Sequence, residues 1–320
     1  MLELSVGVDI GGTKIHAALV DGQGRIYVEE KLPTDSAKGA DSVMERVLQS
    51  IERMLDSAPR AAQSAAIQGI GIGSAGQIDF STGTVAFAVD TLPGWTGTRI
   101  KARTAERFPD LPVIVDNDVN CAAVAEQRIG AASGLRNFIC LALGTGIGGA
   151  IIADGKLVRG TYGGAGELGH VSVDFNGPRC SCGNRGCLEL YASGPGIARI
   201  AREGSFSFAD SRQVIEAWLA GDSQANQVMD IVIRALASGI SGFIHTFNPE
   251  AVIIGGGVAE AGERFLHSIR QETERRTSAA MWKAVQLEPA AAGNHAGVIG
   301  AALQMWHYSV LELRGEGGAG

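Results

Sequence analysis

The chain has 320 residues, 45% hydrophobic and 19% charged, a globular composition long enough for two cores, since one core stops growing beyond roughly 250–300 residues. A net charge of −7 and a pI near 5.4 offer no basic face to neutralise a phosphate backbone, which excludes nucleic acid as an expected partner. No apolar run approaches the roughly 20 residues that span a bilayer, and Met1-Leu2-Glu3-Leu4 lacks a basic flank or cleavage site, so no membrane partner and a cytoplasmic location are expected.

The first strand is expected over residues 5–10, then the turn Gly11-Gly12-Thr13-Lys14, a returning strand over 15–20, and a third through Ile26 after Asp21-Gly22-Gln23-Gly24. Val43, Val47, Leu48, Ile51 and Leu55 recur at helical spacing. Ile70 and Ile72 then run as a strand into Gly73-Ser74-Ala75-Gly76, and Val113-Ile114-Val115 as another into Asp116-Asn117-Asp118, with a small-residue helix after it. The opening pattern recurs at Phe138 to Leu143, where an apolar strand meets Gly144-Thr145-Gly146, a second strand and the turn Ala153-Asp154-Gly155-Lys156; we read a structural duplication. A long helix spans Val228 to Phe243, the strand Ala251 to Ile254 ends at Gly255-Gly256-Gly257, and a helix covers residues 265–275. A last helix runs from Gly297 to about Val310, and the tail Arg314 to Gly320 is expected to fray.

The 45 glycines cluster at the ends of Val/Ile-rich runs, a pattern that reads as turns where backbone approaches a ligand. In the first turn, bare amides of Gly11 and Gly12 can wrap an anion while Thr13 and Lys14 donate further hydrogen bonds. Asp9 would repel a phosphate unless a cation stands between them, so it is a candidate for holding a magnesium–water cluster. Neither a Walker sequence nor a Gly-x-Gly-x-x-Gly opening a helix is present. Gly144-Thr145-Gly146 and Gly255-Gly256-Gly257 supply two more amide-rich turns.

With these motifs in order, joined by Glu167-Leu168-Gly169-His170 and Cys180-Ser181-Cys182-Gly183-Asn184-Arg185-Gly186-Cys187-Leu188-Glu189, nearly the whole chain resembles the ROK family of sugar kinases and related repressors, within the actin-like ATPase superfamily. The resemblance implies an α/β, two-domain actin-like (ribonuclease H-like) fold with duplicated mixed sheets and a cleft between the domains. Residues 1–118 plus a C-terminal helix at about 297–320 would form the small domain, and 119–296 the large one, with the zinc-binding loop, dimer contacts and adenosine turn. ATP phosphates would lie on the Gly11–Lys14 and Gly144–Gly146 turns, and adenosine against Gly255 to Gly257. Phosphoryl transfer asks for an in-line nucleophile and one carboxylate to take its proton. Asp118, between a strand end and a helix start, is our choice of base for the C6 hydroxyl of a hexose. By resemblance Asn117, Asp118, Glu167, His170 and Glu189 bind sugar hydroxyls.

Five cysteines, an odd count with three crowded into one segment, argue for a reducing compartment. Cys180, Cys182, Cys187 and His170 are a soft ligand set suited to closed, structural zinc, although the Cys-x-Cys-x4-Cys spacing alone also fits a redox pair or idle thiols. The resemblance assigns all four to zinc, with the second imidazole nitrogen of His170 meeting a sugar hydroxyl. Cys121 and Cys140 fall in apolar surroundings and read as core. Glucose is the first expected substrate, with N-acetylmannosamine, mannose and fructose as alternatives, chosen by the loops at Gly73 to Gln77 and Leu92 to Thr96. Trp95 there is either a stacking platform or an apolar anchor. A repressor would carry a preceding helix-turn-helix, for which strand-forming residues starting by Leu4 leave no room. Polyphosphate would suit the same amide turns as ATP, and a homodimer is implied by resemblance.

Overall fold

The computed structural model describes residues 2–61, 65–88 and 92–308, excluding the side chains of 59–61. Along the chain lie β1 (Leu2–Ile10), β2 (Lys14–Asp21), β3 (Ile26–Pro33), α1 (Ala40–Ala61), β4 (Ala65–Ser74), β5 (Gln77–Asp79), β6 (Thr84–Phe87), α2 (Ile100–Arg107), β7 (Val113–Asn117) and α3 (Asp118–Ile129). There follow β8 (Phe138–Leu143), β9 (Ile147–Ala153), β10 (Lys156–Leu157), α4 (Glu189–Ala192), α5 (Gly194–Glu203), α6 (Ser211–Leu219) and α7 (Ser223–Phe247). The chain continues with β11 (Ala251–Gly255), α8 (Glu263–Glu274), α9 (Ala279–Trp282), β12 (Gln286–Pro289) and α10 (Ala296–His307). The expected fraying of Arg314 to Gly320 lies outside the described residues.

The chain divides into two compact units. Unit 1 comprises Met1–Gly134, Arg159–Ala165 and Ala292–Gly320, and unit 2 comprises Leu135–Val158 and Gly166–Ala291. In unit 1 the sheet runs β3-β2-β1-β4-β7, with β1 antiparallel to β2 and parallel to β4. In unit 2 it runs β10-β9-β8-β11-β12, with β8 antiparallel to β9 and parallel to β11. The duplication read from the glycine hairpins is therefore a repeated five-stranded topology.

On one face of the unit 1 sheet, Leu4, Val6, Val8, Ile10, Ile70 and Ile72 meet Val43, Met44, Val47 and Ile51 of α1. The other face receives α10 at a spacing that only glycine permits. A Cβ on Gly7 would stand 2.2 Å from the Val298 carbonyl oxygen, one on Gly71 1.7 Å from that of Ala301, and one on Gly300 1.7 Å from that of Cys121. These glycines serve helix packing, a correction to reading the whole glycine set as ligand turns. Because α3 packs against α10, unit 1 continues to Gly134, beyond the boundary expected at 118/119.

In unit 2, Val228, Val232, Leu236, Ile240 and Phe243 of α7 form the centre of a core that includes Ile139, Leu141, Val252 and Ile254. By length and composition alone α7, with 25 residues, could cross a membrane, but 61% of its most apolar stretch is buried inside the fold, as in any core helix. Most of its apolar side chains face this core, while Ile231 and Phe247 are exposed.

Candidate active site and thiol cluster

The parallel register of unit 1 builds the acidic edge. Asp9 pairs with Gly73, and Gly73 with Asp116, while Ile10 pairs with Ser74 and Ser74 with Asn117. The carboxyl ends of β1, β4 and β7 therefore coincide, the place where open α/β sheets bind ligands. A side chain at the middle position would crowd α3, since a Cβ on Gly73 would lie 3.0 Å from Cys121 Sγ.

Asn117 is the N-cap of α3: its Oδ1 accepts from the amides of Val119 and Asn120 at 2.9 and 3.2 Å, and its Nδ2 donates to the Gly76 carbonyl at 3.0 Å. Asp118 is thereby the first helical residue, with its Oδ1 accepting from the Val119 amide at 3.0 Å. Burial pushes the Asp118 carboxyl up to about 7, and the nearby Asp9 carboxylate adds to the effect, overcoming the amides that favour the anion. Asp9 rises to about 6 through burial, moderated by Lys14. Two neighbouring carboxyls thus titrate close to neutrality, a setting typical of functional sites.

The first glycine turn is pinned from both sides: the Gly11 amide donates to the Lys14 carbonyl at 3.0 Å, and Thr34 Oγ1 donates to the Gly11 carbonyl at 2.7 Å. Gly12 is half-buried, and Thr13 and Lys14 are exposed. Trp95 is buried and its Nε1 donates to Ser74 Oγ at 3.0 Å, which makes it an anchor and not a platform.

Sequence reasoning passed over Arg159. Its Nε and Nη2 both donate to Asp116 Oδ2, at 3.0 and 2.6 Å, its guanidinium stacks 3.7 Å from the centre of the Phe80 ring, and it donates to the Tyr308 hydroxyl. Asp116, 1% exposed, uses its other oxygen for the Asn117 amide and Asn120 Nδ2, each at 2.8 Å. Arg159 therefore holds the strand end from which Asn117 and Asp118 emerge. The signal was a lone arginine within Leu157-Val158-Arg159-Gly160, whose partner 43 residues away no spacing could supply.

In unit 2 the other two glycine turns are neighbours. Gly256 has φ of +88°, its added Cβ would fall 2.5 Å from the Leu143 carbonyl oxygen, and that carbonyl accepts from the Val258 amide at 2.9 Å. The Gly144 amide donates to the Gly146 carbonyl at 2.9 Å, leaving Thr145 exposed at the tip. Glu189 stands behind this turn, accepting from the Ile147 amide at 3.0 Å, and a Cβ on Gly146 would lie 2.5 Å from the same oxygen. Glu167 is exposed, 3.9 Å from His170 Nε2.

His170, Cys180, Cys182 and Cys187 converge, with all ligand atoms within 4.8 Å of one another. His170 Nδ1 lies 3.6 Å from Cys180 Sγ, and Cys182 Sγ 3.6 Å from Cys187 Sγ. A tetrahedron with Zn–S bonds of about 2.3 Å places its sulfurs roughly 3.8 Å apart, so the four donors fit zinc closely. Burial raises the Cys180 thiol, but hydrogen bonds from the Cys182 amide, the two other thiols and His170 outweigh it and bring the group down to about 7. Burial and its sulfur neighbours push Cys187 up to about 12. Protons are shared unevenly, as expected of thiols crowded around one point. Cys121 and Cys140 are buried, as expected of core residues.

Repeated sheets whose strand ends carry glycine turns and titratable carboxyls define an actin-like ATPase fold. The ROK family profile matches residues 5–307, and the chain belongs to the ROK family. It is 37% identical over 92% of its length, and 92% of the relative's, to a glucokinase of Halalkalibacterium halodurans. The ROK hexokinase structure from Thermus thermophilus shares 33% identity with a TM-score of 0.83, covering 98% of this chain and 99% of that one. A ROK family glucokinase from Streptomyces griseus, solved in complex with glucose and AMPPNP, shares 35% identity with a TM-score of 0.77, covering 93% of this chain and 98% of that one.

Proposed function

We propose that this chain is an ATP-dependent hexose kinase that transfers the γ-phosphoryl group of ATP to a C6 hydroxyl, with glucose as the first substrate. The observation that carries the reading is Asp118, the first residue of a helix at a strand-end edge, whose carboxyl is pushed up to about 7. Such a group accepts the hydroxyl proton as the C6 oxygen attacks phosphorus and the bond to ADP breaks. Asp9 holds magnesium through water and Gly11, Gly12, Thr13 and Lys14 receive phosphates; Gly144, Thr145 and Gly146 do the same, and Gly255, Gly256 and Gly257 back the adenosine. Asn117 keeps one Nδ2 hydrogen for a sugar hydroxyl beyond its bond to Gly76. Glu167, Glu189 and His170 take further hydroxyls.

Zinc on His170, Cys180, Cys182 and Cys187 supplies stability and no catalysis, because four protein ligands leave no open position. With Nδ1 turned toward Cys180, the His170 Nε2 lies on the Glu167 side, 3.9 Å from that carboxylate, where both can meet a sugar, so the metal site would fix both tautomer and ring orientation. A cytoplasmic homodimer completes the proposal, to be read by sedimentation. The functional test is ADP release with ATP and magnesium against hexoses and acetamido-hexoses, repeated with polyphosphate as donor. Hexose-dependent turnover is expected. Folded, zinc-loaded protein that is silent with every sugar and both donors would overturn the kinase reading in favour of a sugar sensor.

A further inference from the structure

The face of the unit 1 sheet turned toward α10 carries a second convergence of metal-binding side chains. His16 of β2 is buried, and its Nε2 lies 2.7 Å from Glu29 Oε2 of β3. His295, the residue before α10, brings its Nε2 to 3.2 Å from the same oxygen, and the two imidazoles meet edge to face with centroids 5.3 Å apart. All three ligand atoms lie within 4.8 Å of one another. We propose that His16, Glu29 and His295 form a metal site of their own, separate from the cysteine cluster, for a divalent transition ion such as zinc or cobalt.

The donor chemistry is two imidazoles and one carboxylate, a set that suits such ions and leaves positions open for water. With bonds of about 2.0–2.2 Å, tetrahedral nitrogen and oxygen ligands stand roughly 3.3–3.5 Å apart. The 3.2 Å separation from His295 lies just below that spacing and the 2.7 Å hydrogen bond to His16 well below it, but Glu29, the exposed member, can withdraw by rotation about its own side-chain bonds. His16 needs no such movement, because β2 fixes it inside the fold.

The cluster already holds a cation. Lys31 pairs with His16 across β2 and β3, and its Nζ lies 3.2 Å from Glu29 Oε2 and 3.3 Å from His295 Nε2. Its side chain is 46% exposed, so it can swing into solvent and yield its place to a divalent ion. Occupancy would tie β2 and β3 to the start of α10. Asp9 stands opposite His16 in the β1–β2 ladder, and a Cβ on Gly297 would fall 2.7 Å from Asp9 Oδ2. An ion there stiffens the wall behind Asp9.

The test is a cobalt titration of zinc-replete wild-type protein at neutral pH, followed by absorbance. We expect one added equivalent with d–d bands and no sulfur-to-cobalt charge transfer, the latter being the mark of exchange at the cysteines. His295→Ala and Glu29→Gln, both at positions open to solvent, should each weaken that equivalent by about tenfold or more. Lys31→Ala should tighten it, since the competing ammonium is gone. The proposal is overturned if wild type takes up no sulfur-free equivalent, or if its affinity is the same in His295→Ala and Glu29→Gln.

Discussion

Replacing Asp118 by Asn should separate activity from stability in opposite directions. The amide keeps the shape of the side chain and an oxygen for the Val119 amide, but it accepts no proton. Loss of a positioned general base costs about 10²–10⁴-fold in turnover. The same change should stabilise the fold at alkaline pH. Wild-type Asp118 ionises near 3.8 when unfolded and near 7 when folded, a gap of roughly three units at about 1.4 kcal/mol each. The folded protein therefore loses stability as pH rises from about 4 through 7, and the neutral amide escapes that loss. The gain is at most about 4 kcal/mol at pH 8, reduced because the partly exposed carboxylate retains some water, and it should vanish near pH 4. Coupled ADP release gives the first quantity and urea denaturation at several pH values the second. Turnover near wild type, or a stability difference that does not change with pH, would refute the reasoning.

The pH profile of kcat/KM should show an acidic limb near 7, with activity falling about tenfold per unit below it; because Asp9 adds to the upward push on Asp118, Asp9→Asn should move that limb to lower pH even as it slows turnover. Cys182→Ser should release zinc and lower the thermal midpoint, and metal content unchanged by mass spectrometry would remove the zinc assignment. Arg159→Ala should destabilise the protein by about 3–5 kcal/mol, since it strands the buried Asp116 carboxylate; a loss below about 1 kcal/mol in urea would show that Asn120 and the Asn117 amide suffice.

The local features were the legible ones. A strand ending in Asp116-Asn117-Asp118 and followed by small residues announced β7 and α3 because apolar runs and cap chemistry act over a few residues. The first hairpin and its echo at Phe138 were visible for the same reason, and the cysteine cluster because its three thiols crowd into residues 180–187. What the sequence hid depends on long-range register. The bond from Asn117 Nδ2 to the Gly76 carbonyl, 41 residues away, joins the end of β7 to the loop after β4, a contact no local pattern announces. Gly7 and Gly71 lie within expected strands and Gly300 within the last helix, and their use becomes apparent only once α10 lies on the sheet. Arg159 and the His16–Glu29–His295 group join strands, loops and a helix start far apart in sequence, and no periodicity links them.

Unit 1 is assembled from three separate stretches, whereas unit 2 is interrupted only by the seven residues 159–165. During synthesis, the sheet of unit 1 emerges with one face bare, because the helix that covers Gly7 and Gly71 is made near the end. At roughly 5–20 residues per second, about 170 residues must follow Gly134 before α10 is complete, a delay on the order of 10–30 seconds. Unit 2 can close during that interval. A nascent chain held at Ala291 should thus present a protease-resistant second half beside a first half that is still open to cleavage.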